Sequence, residues 1–139
     1  MISSGNEDTV LLVEDDPDTA EAMEMAISME GYPIRVASDQ ADALDMLPLT
    51  KPSVILLDYY GVTSDIKKFV ARIREIHPKV PIVLMTGARD AKTKAKELGL
   101  KECLPKPFSA DALRNILKKH CAAATSKVKL NERIQMDIF

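Results

Sequence analysis

Three short runs constrain this chain more than any other feature: Val10-Leu11-Leu12-Val13, Val54-Ile55-Leu56-Leu57 and Pro81-Ile82-Val83-Leu84-Met85. Each is apolar at consecutive rather than alternate residues, the mark of a strand covered on both faces. Each then stops at polar side chains: Glu14-Asp15-Asp16, Asp58, and Thr86-Gly87. Between the runs lie stretches with helical spacing. Ala20, Met23 and Ile27 follow Pro17, which suits a first helical turn, and Gly31 closes that helix. Pro33 to Ala37 reads as a second strand. Ser38 or Asp39 caps a short helix carrying Ala43, Leu44 and Leu47, which Pro48 and Pro52 are expected to stop. Ile66, Phe69, Val70, Ile73 and Ile76 predict a strongly amphipathic helix. A short helix from about Asp90 to Leu98, a strand from Lys101 to Leu104 and a last helix capped by Ser109 complete the series.

Strands buried on both faces and alternating with helices predict an α/β fold, an open five-stranded parallel sheet with helices on both sides. In such sheets polar chemistry collects outside the carboxyl ends of the strands. Asp15 and Asp58 converge there if the first, third and fourth strands are neighbours. Crowded carboxylates repel one another unless a cation joins them, and Mg²⁺ suits an all-oxygen set. Beside such an ion, Thr86 and Lys106 could steady a phosphoryl group, with Asp58 the nucleophile that forms an acyl phosphate.

With 139 residues, 46% apolar and 4% aromatic, the chain has enough aliphatic material for one domain without a metal or disulfide staple. Cys103 and Cys121 form neither a CxxC pair nor a zinc spacing and read as buried or half-buried residues of a reducing compartment. Met1 to Asp8 has no signal-peptide character and no apolar run is long enough to span a bilayer, so a cytoplasmic location is expected. The net charge of −2 conceals a division: residues 1–65 hold 14 acids and 2 bases, residues 66–139 hold 7 acids and 17 bases. The expectation is that the halves interleave their charges; direct nucleic-acid binding is disfavoured, because the basic half lacks an arginine-rich run. Asp16 reads as a solvated helix-start residue, His77 and His120 as surface residues near helix ends, and the seven methionines as core filler.

Taken together, Val13-Glu14-Asp15-Asp16-Pro17, Val54 to Asp58, Met85-Thr86-Gly87 and Leu104-Pro105-Lys106-Pro107-Phe108 resemble the receiver domain of two-component response regulators, over roughly residues 8–121. The resemblance implies a flavodoxin-like (βα)5 sheet in strand order 2-1-3-4-5, chemotaxis-regulator-like, and the expectation is either a stand-alone receiver or a receiver that is part of a longer protein. It implies that Asp58 is the phosphoacceptor for a phosphohistidine on a sensor histidine kinase or phosphotransfer protein. Asp15 matches a direct Mg²⁺ ligand, Glu14 the acid that holds metal-bound water, and the backbone carbonyl of Tyr60 the third protein ligand. Thr86 matches a switch hydroxyl, Gly87 an amide donor, Lys106 the ammonium that pairs with the phosphoryl group, and Pro107 a proline preceded by a cis bond. Such a domain is a signalling module rather than an enzyme, catalysing only its own phosphorylation and dephosphorylation and passing its state to an output partner. A homodimer is possible in such a family.

The sequence departs from the family pattern in places. The loop Tyr59 to Asp65 lacks the usual Met-Pro, and Gly61 loosens it. The aromatic switch position, three before Lys106, holds Cys103, which has no ring to swing. The segment from Thr86 to Lys106 is short, trimming the fourth helix. Tyr60 and Ala88 flank the path of attacking water with no acid or amide, so slow self-dephosphorylation is expected. These departures leave open an alternative: a degenerate receiver acting as a phosphorylation-independent interaction module. An aspartate-nucleophile phosphatase is disfavoured, because Tyr60 stands where its second Asp would be. The domain is expected at residues 9–121, with an N-terminal lead (1–8) and a tail (122–139) that is either a short docking helix or frayed.

Overall fold

The apolar runs become the inner strands of one parallel sheet. The computed structural model describes residues 9–59, 65–87 and 89–121. In chain order the elements are β1 (Val10–Val13), α1 (Pro17–Met29), β2 (Ile34–Ala37), α2 (Gln40–Thr50), β3 (Val54–Asp58), α3 (Ile66–Ile76), β4 (Ile82–Thr86), α4 (Ala91–Glu97), β5 (Glu102–Pro105) and α5 (Ala110–His120). The strands lie in the order β2-β1-β3-β4-β5, all parallel. This is the expected doubly wound arrangement. The lead at 1–8 and the tail at 122–139 lie outside the described residues, as do Tyr60 and Ala88.

The consecutive apolar residues divide between two cores. Val10, Leu12, Val54, Leu56, Val83 and Met85 face α1 and α5, against Met23, Ile27, Leu113 and Leu117. Leu11, Val13, Ile55, Leu57, Ile82 and Leu84 face α2, α3 and α4, against Leu47, Phe69, Ile73 and Ala95. Successive strand side chains point to opposite faces, so a strand can be apolar throughout only when both faces are covered. Fully burying one such side chain contributes about 1.5–3 kcal/mol, which makes these strands the rigid base of the site.

Local chemistry sets the helix ends. The Asp16 side chain accepts from the Thr19 N–H at 3.0 Å, and Pro17 occupies the first turn, where its missing N–H costs nothing. Asp39, of the two candidates, caps α2, and Ser109 caps α5. Gly31 follows α1 at φ +95°, a conformation that other residues adopt only with strain.

Four expectations need correction. Pro48 does not stop α2 but sits inside it; the helix closes two residues later, where the Thr50 hydroxyl donates to the Met46 carbonyl and Lys51 turns left-handed. A proline in the last turn forfeits a single ladder bond, and that end of the helix tolerates the loss. His77 and His120 are half-buried and engaged, His77 against the Leu47 carbonyl at 2.8 Å and His120 against Glu102 at 2.5 Å. Met23 is core, but Met25 and Met29 on α1 are 61% and 41% exposed. The interleaving of charge is limited to a few ion pairs where the halves meet, β3 against β4 and α5 against α1. Apart from the local Asp65–Lys68 pair, the ion pairs between halves among the described residues are Lys106 with Glu14 and Asp58, and Arg114 with Glu30.

Candidate functional site

Parallel strands end together, so β1, β3, β4 and β5 deliver their terminal residues to one rim. Val13 is level with Leu57, Asp58 with Met85, and Thr86 with Pro105. The Tyr59 N–H donates to the Met85 carbonyl at 2.9 Å, which fixes the backbone directly after Asp58. The Lys106 N–H donates to the Thr86 carbonyl at 2.8 Å, which holds the lysine beside the end of β4. Sheet pairing thus brings together side chains that are up to 92 positions apart (Glu14 and Lys106).

One carboxylate oxygen each from Glu14, Asp15 and Asp58 lies within 4.8 Å of the others. Glu14 and Asp58 are buried, and Asp15 is exposed at the mouth. Lys106 Nζ is 3.1 Å from Asp58 Oδ1 and 3.7 Å from Glu14 Oε1. Thr86 is fully buried at the end of β4, and Gly87 beyond it is exposed. The Lys106–Pro107 peptide is cis, as the resemblance implied. Asp16, one residue past the cluster, turns away to cap α1.

A single ammonium does not balance these acids. Burial, reinforced by the neighbouring Asp58, raises the Glu14 carboxyl from an ordinary 4.5 to about 7, against the partial relief of the Asp16 N–H and Lys106. Glu14 Oε2 accepts from the Asp16 N–H at 3.2 Å, while buried Oε1 has no hydrogen-bond partner. An orphaned oxygen in a crowded acidic crevice is what a hard cation satisfies. Two ligands on opposite sides of one Mg²⁺ lie about 4.2 Å apart, so oxygens spread over 4.8 Å need only a small adjustment to share an ion. The donor set fits Mg²⁺. The Tyr60 carbonyl lies outside the described residues.

Sequence reasoning missed two contacts. The Lys94 ammonium lies 5.3 Å from the centre of the Tyr59 ring, linking α4 to the residue after Asp58. Arg114 of α5 bonds both oxygens of Glu30 at 3.1 Å, joining α5 to the end of α1. An arginine on the helix face that carries Leu113 and Leu117 is the signal in the sequence for the second; nothing local signals the first. Cys103 is half-buried against the α2–α3–α4 core, and Cys121 is buried.

Residues 10–118 match the response regulator receiver domain. The chain is 32% identical over 108 residues to the nitrogen assimilation regulatory protein NtrX of Azorhizobium caulinodans, covering 75% of this chain and 24% of that protein. It is 30% identical over 107 residues to the response regulator MprA of Mycobacterium avium, covering 75% of this chain and 46% of that one. The chain thus spans less than half the length of these relatives. A putative response regulator from Chloroflexus aurantiacus superposes with a TM-score of 0.73 at 28% identity, covering 84% of this chain and 98% of that structure. The fold and the match together define the class: this chain belongs to the response regulator receiver-domain family, the signalling domains of two-component systems. Among the described residues no helix is long and apolar enough to cross a membrane.

Proposed function

We propose that residues 9–121 form a phosphoacceptor domain in which Asp58 takes a phosphoryl group from a phosphohistidine on a sensor kinase or phosphotransfer protein. The observation that carries this reading is the approach of Lys106 to the buried Asp58 at 3.1 Å within a carboxylate cluster that one ammonium leaves unbalanced. A carboxylate oxygen of Asp58 attacks phosphorus, the P–O bond forms as the P–N bond breaks, and the electron pair leaves on the donor imidazole. Lys106 and the Gly87 N–H receive the negative charge on the phosphoryl oxygens, and the Thr86 hydroxyl moves to bond one of them. Mg²⁺ held by Glu14, Asp15, Asp58 and the Tyr60 carbonyl would supply further charge neutralisation during transfer. Glu14 and Asp15 would hold that ion beside Asp58, which would favour the ionised carboxylate. The new dianion shifts an existing equilibrium between two surface states and so alters the affinity for an output partner, by the roughly 1–3 kcal/mol usual for such coupling.

Acetyl phosphate with Mg²⁺ tests the reading by mass spectrometry. A gain of one phosphoryl group in the wild type, absent in Asp58→Asn and in the presence of a chelator, supports it. No gain in the wild type favours the second reading, a phosphorylation-independent interaction module, for which Cys103 in place of a ring is the supporting observation. In a protein that does gain the group, Tyr60→Asn is expected to shorten the phosphoryl half-life.

A further inference from the structure

The end of the sheet opposite Asp58 carries a feature that phosphotransfer does not use. A cavity of about 750 Å³ opens where β4 and β5 begin and α3 and α5 end. Arg74, Lys79, Lys101, Lys119 and His120 line it, with Glu102 the acid among them. Pro78 and Pro81 form part of its wall. Its volume lies within the roughly 300–1,000 Å³ usual for small-ligand sites.

Helix polarity accounts for some of these cations. Arg74 and Lys119 sit in the last turns of α3 and α5, where positive charge offsets the exposed carbonyls, and His120 ends α5 beside them. Arg74 is also tied to the Val80 carbonyl. Lys119 and His120 are tied to Glu102, at 2.8 and 2.5 Å. Burial alone would raise the Glu102 carboxyl, but these two partners hold it below its ordinary value, so the carboxylate already has its own partners. Lys79 and Lys101 have neither explanation. They lie outside the helices, on the α3–β4 and α4–β5 connections, and make no ion pair among the described residues. Both face the same hollow, in the half of the chain where bases outnumber acids. Two lysines on the lining of one hollow with proline in its wall, neither of them in an ion pair among the described residues, make a receptor for a compact anion with a flat apolar part.

We propose that this hollow is a second ligand site, taking a small organic polyphosphate such as a nucleoside diphosphate or triphosphate. Lys79 and Lys101 bind its phosphates, the guanidinium edge of Arg74 left free by Val80 assists, and the base lies against Pro78 and Pro81. The site goes beyond the phosphoacceptor reading and stands without it. Its ligand would be sensed at the pole of the sheet farthest from Asp58.

The test is titration of the ¹⁵N-labelled full chain, followed by NMR, with tripolyphosphate, adenosine triphosphate and adenosine as probes. Divalent cations are chelated and no phosphodonor is present, so failure leaves the phosphoacceptor reading untouched. Adenosine triphosphate is expected to saturate below about 1 mM, with shifts at Lys79, Gly99, Lys101 and Glu102; tripolyphosphate binds more weakly, and adenosine does not saturate. The double variant Lys79→Ala/Lys101→Ala, at exposed positions, is expected to weaken binding about tenfold or more. Absence of saturable shifts overturns the site, as do shifts confined to the Asp58 rim or affinity unchanged in the double variant. Tighter binding of a DNA duplex than of adenosine triphosphate, lost in the same variant, also overturns it and assigns the surface to nucleic acid.

Discussion

Two places in this molecule bury charge, and they do so in opposite ways. Between α1 and α5, Glu30 and Arg114 are 9% and 8% exposed and meet through two parallel hydrogen bonds of 3.1 Å, one cation against one buried anion, with the exposed Asp111 carboxylate also bound to the guanidinium. At the strand ends, Glu14 and Asp58 share the Lys106 ammonium with Asp15 clustered beside them, and one oxygen of Glu14 has no hydrogen-bond partner. A bidentate pair satisfies itself, so its work is to join two helices. An unbalanced cluster holds repulsion that a bound cation would relieve and that a phosphoryl group on Asp58 would increase. Balance marks the structural pair, and imbalance marks the site.

The contrast breaks most visibly in the acceptor itself. Asp58→Asn removes one of the crowded acids, so the metal-free variant is expected to melt no lower than the wild type while losing phosphorylation entirely. Differential scanning calorimetry beside the mass measurement checks both, and a clear drop in melting temperature would show the cluster to be structural. Removing one partner of the balanced pair has the opposite profile. Arg114→Ala leaves a buried, uncompensated Glu30 and should cost about 3–5 kcal/mol in urea unfolding. Replacing both partners, as in Glu30→Leu with Arg114→Met, should recover most of that loss, because two well-packed apolar side chains leave no orphaned charge.

A pH titration sharpens the comparison. Glu14 binds its proton more tightly folded, at about 7, than unfolded, at 4.5. Metal-free stability is therefore expected to fall as pH rises through that window, by roughly 2–3 kcal/mol if most of the shift is realised. Glu14→Gln should flatten the slope, and Mg²⁺ should remove it by occupying the ionised cluster. A wild-type curve level across this window would refute the imbalance. The smallest effect belongs to the half-buried Glu102 cluster. Its carboxyl sits below the ordinary value, so its contribution holds above that value and is lost as pH falls through the lowered pKa. Lys119 is 62% exposed, so Glu102→Gln should cost no more than about 1 kcal/mol.

Much of this molecule could be read along the chain. The unbroken apolar runs named the inner strands, and the side chains of Asp16, Asp39 and Ser109 set helix starts, because each acts within a few residues. The four motifs at the strand ends identified the family and its candidate site together. What the chain could not show alone was how distant neighbours would be seated. That Arg114 meets Glu30 across 84 positions, that His77 turns inward to Leu47, and that acidic and basic halves lie side by side all follow from strand order and helix placement. Local sequence determined which segments are strands and helices, since periodicity and capping are short-range. Tertiary structure decided which buried charges are balanced, since balance depends on neighbours that only the finished sheet supplies.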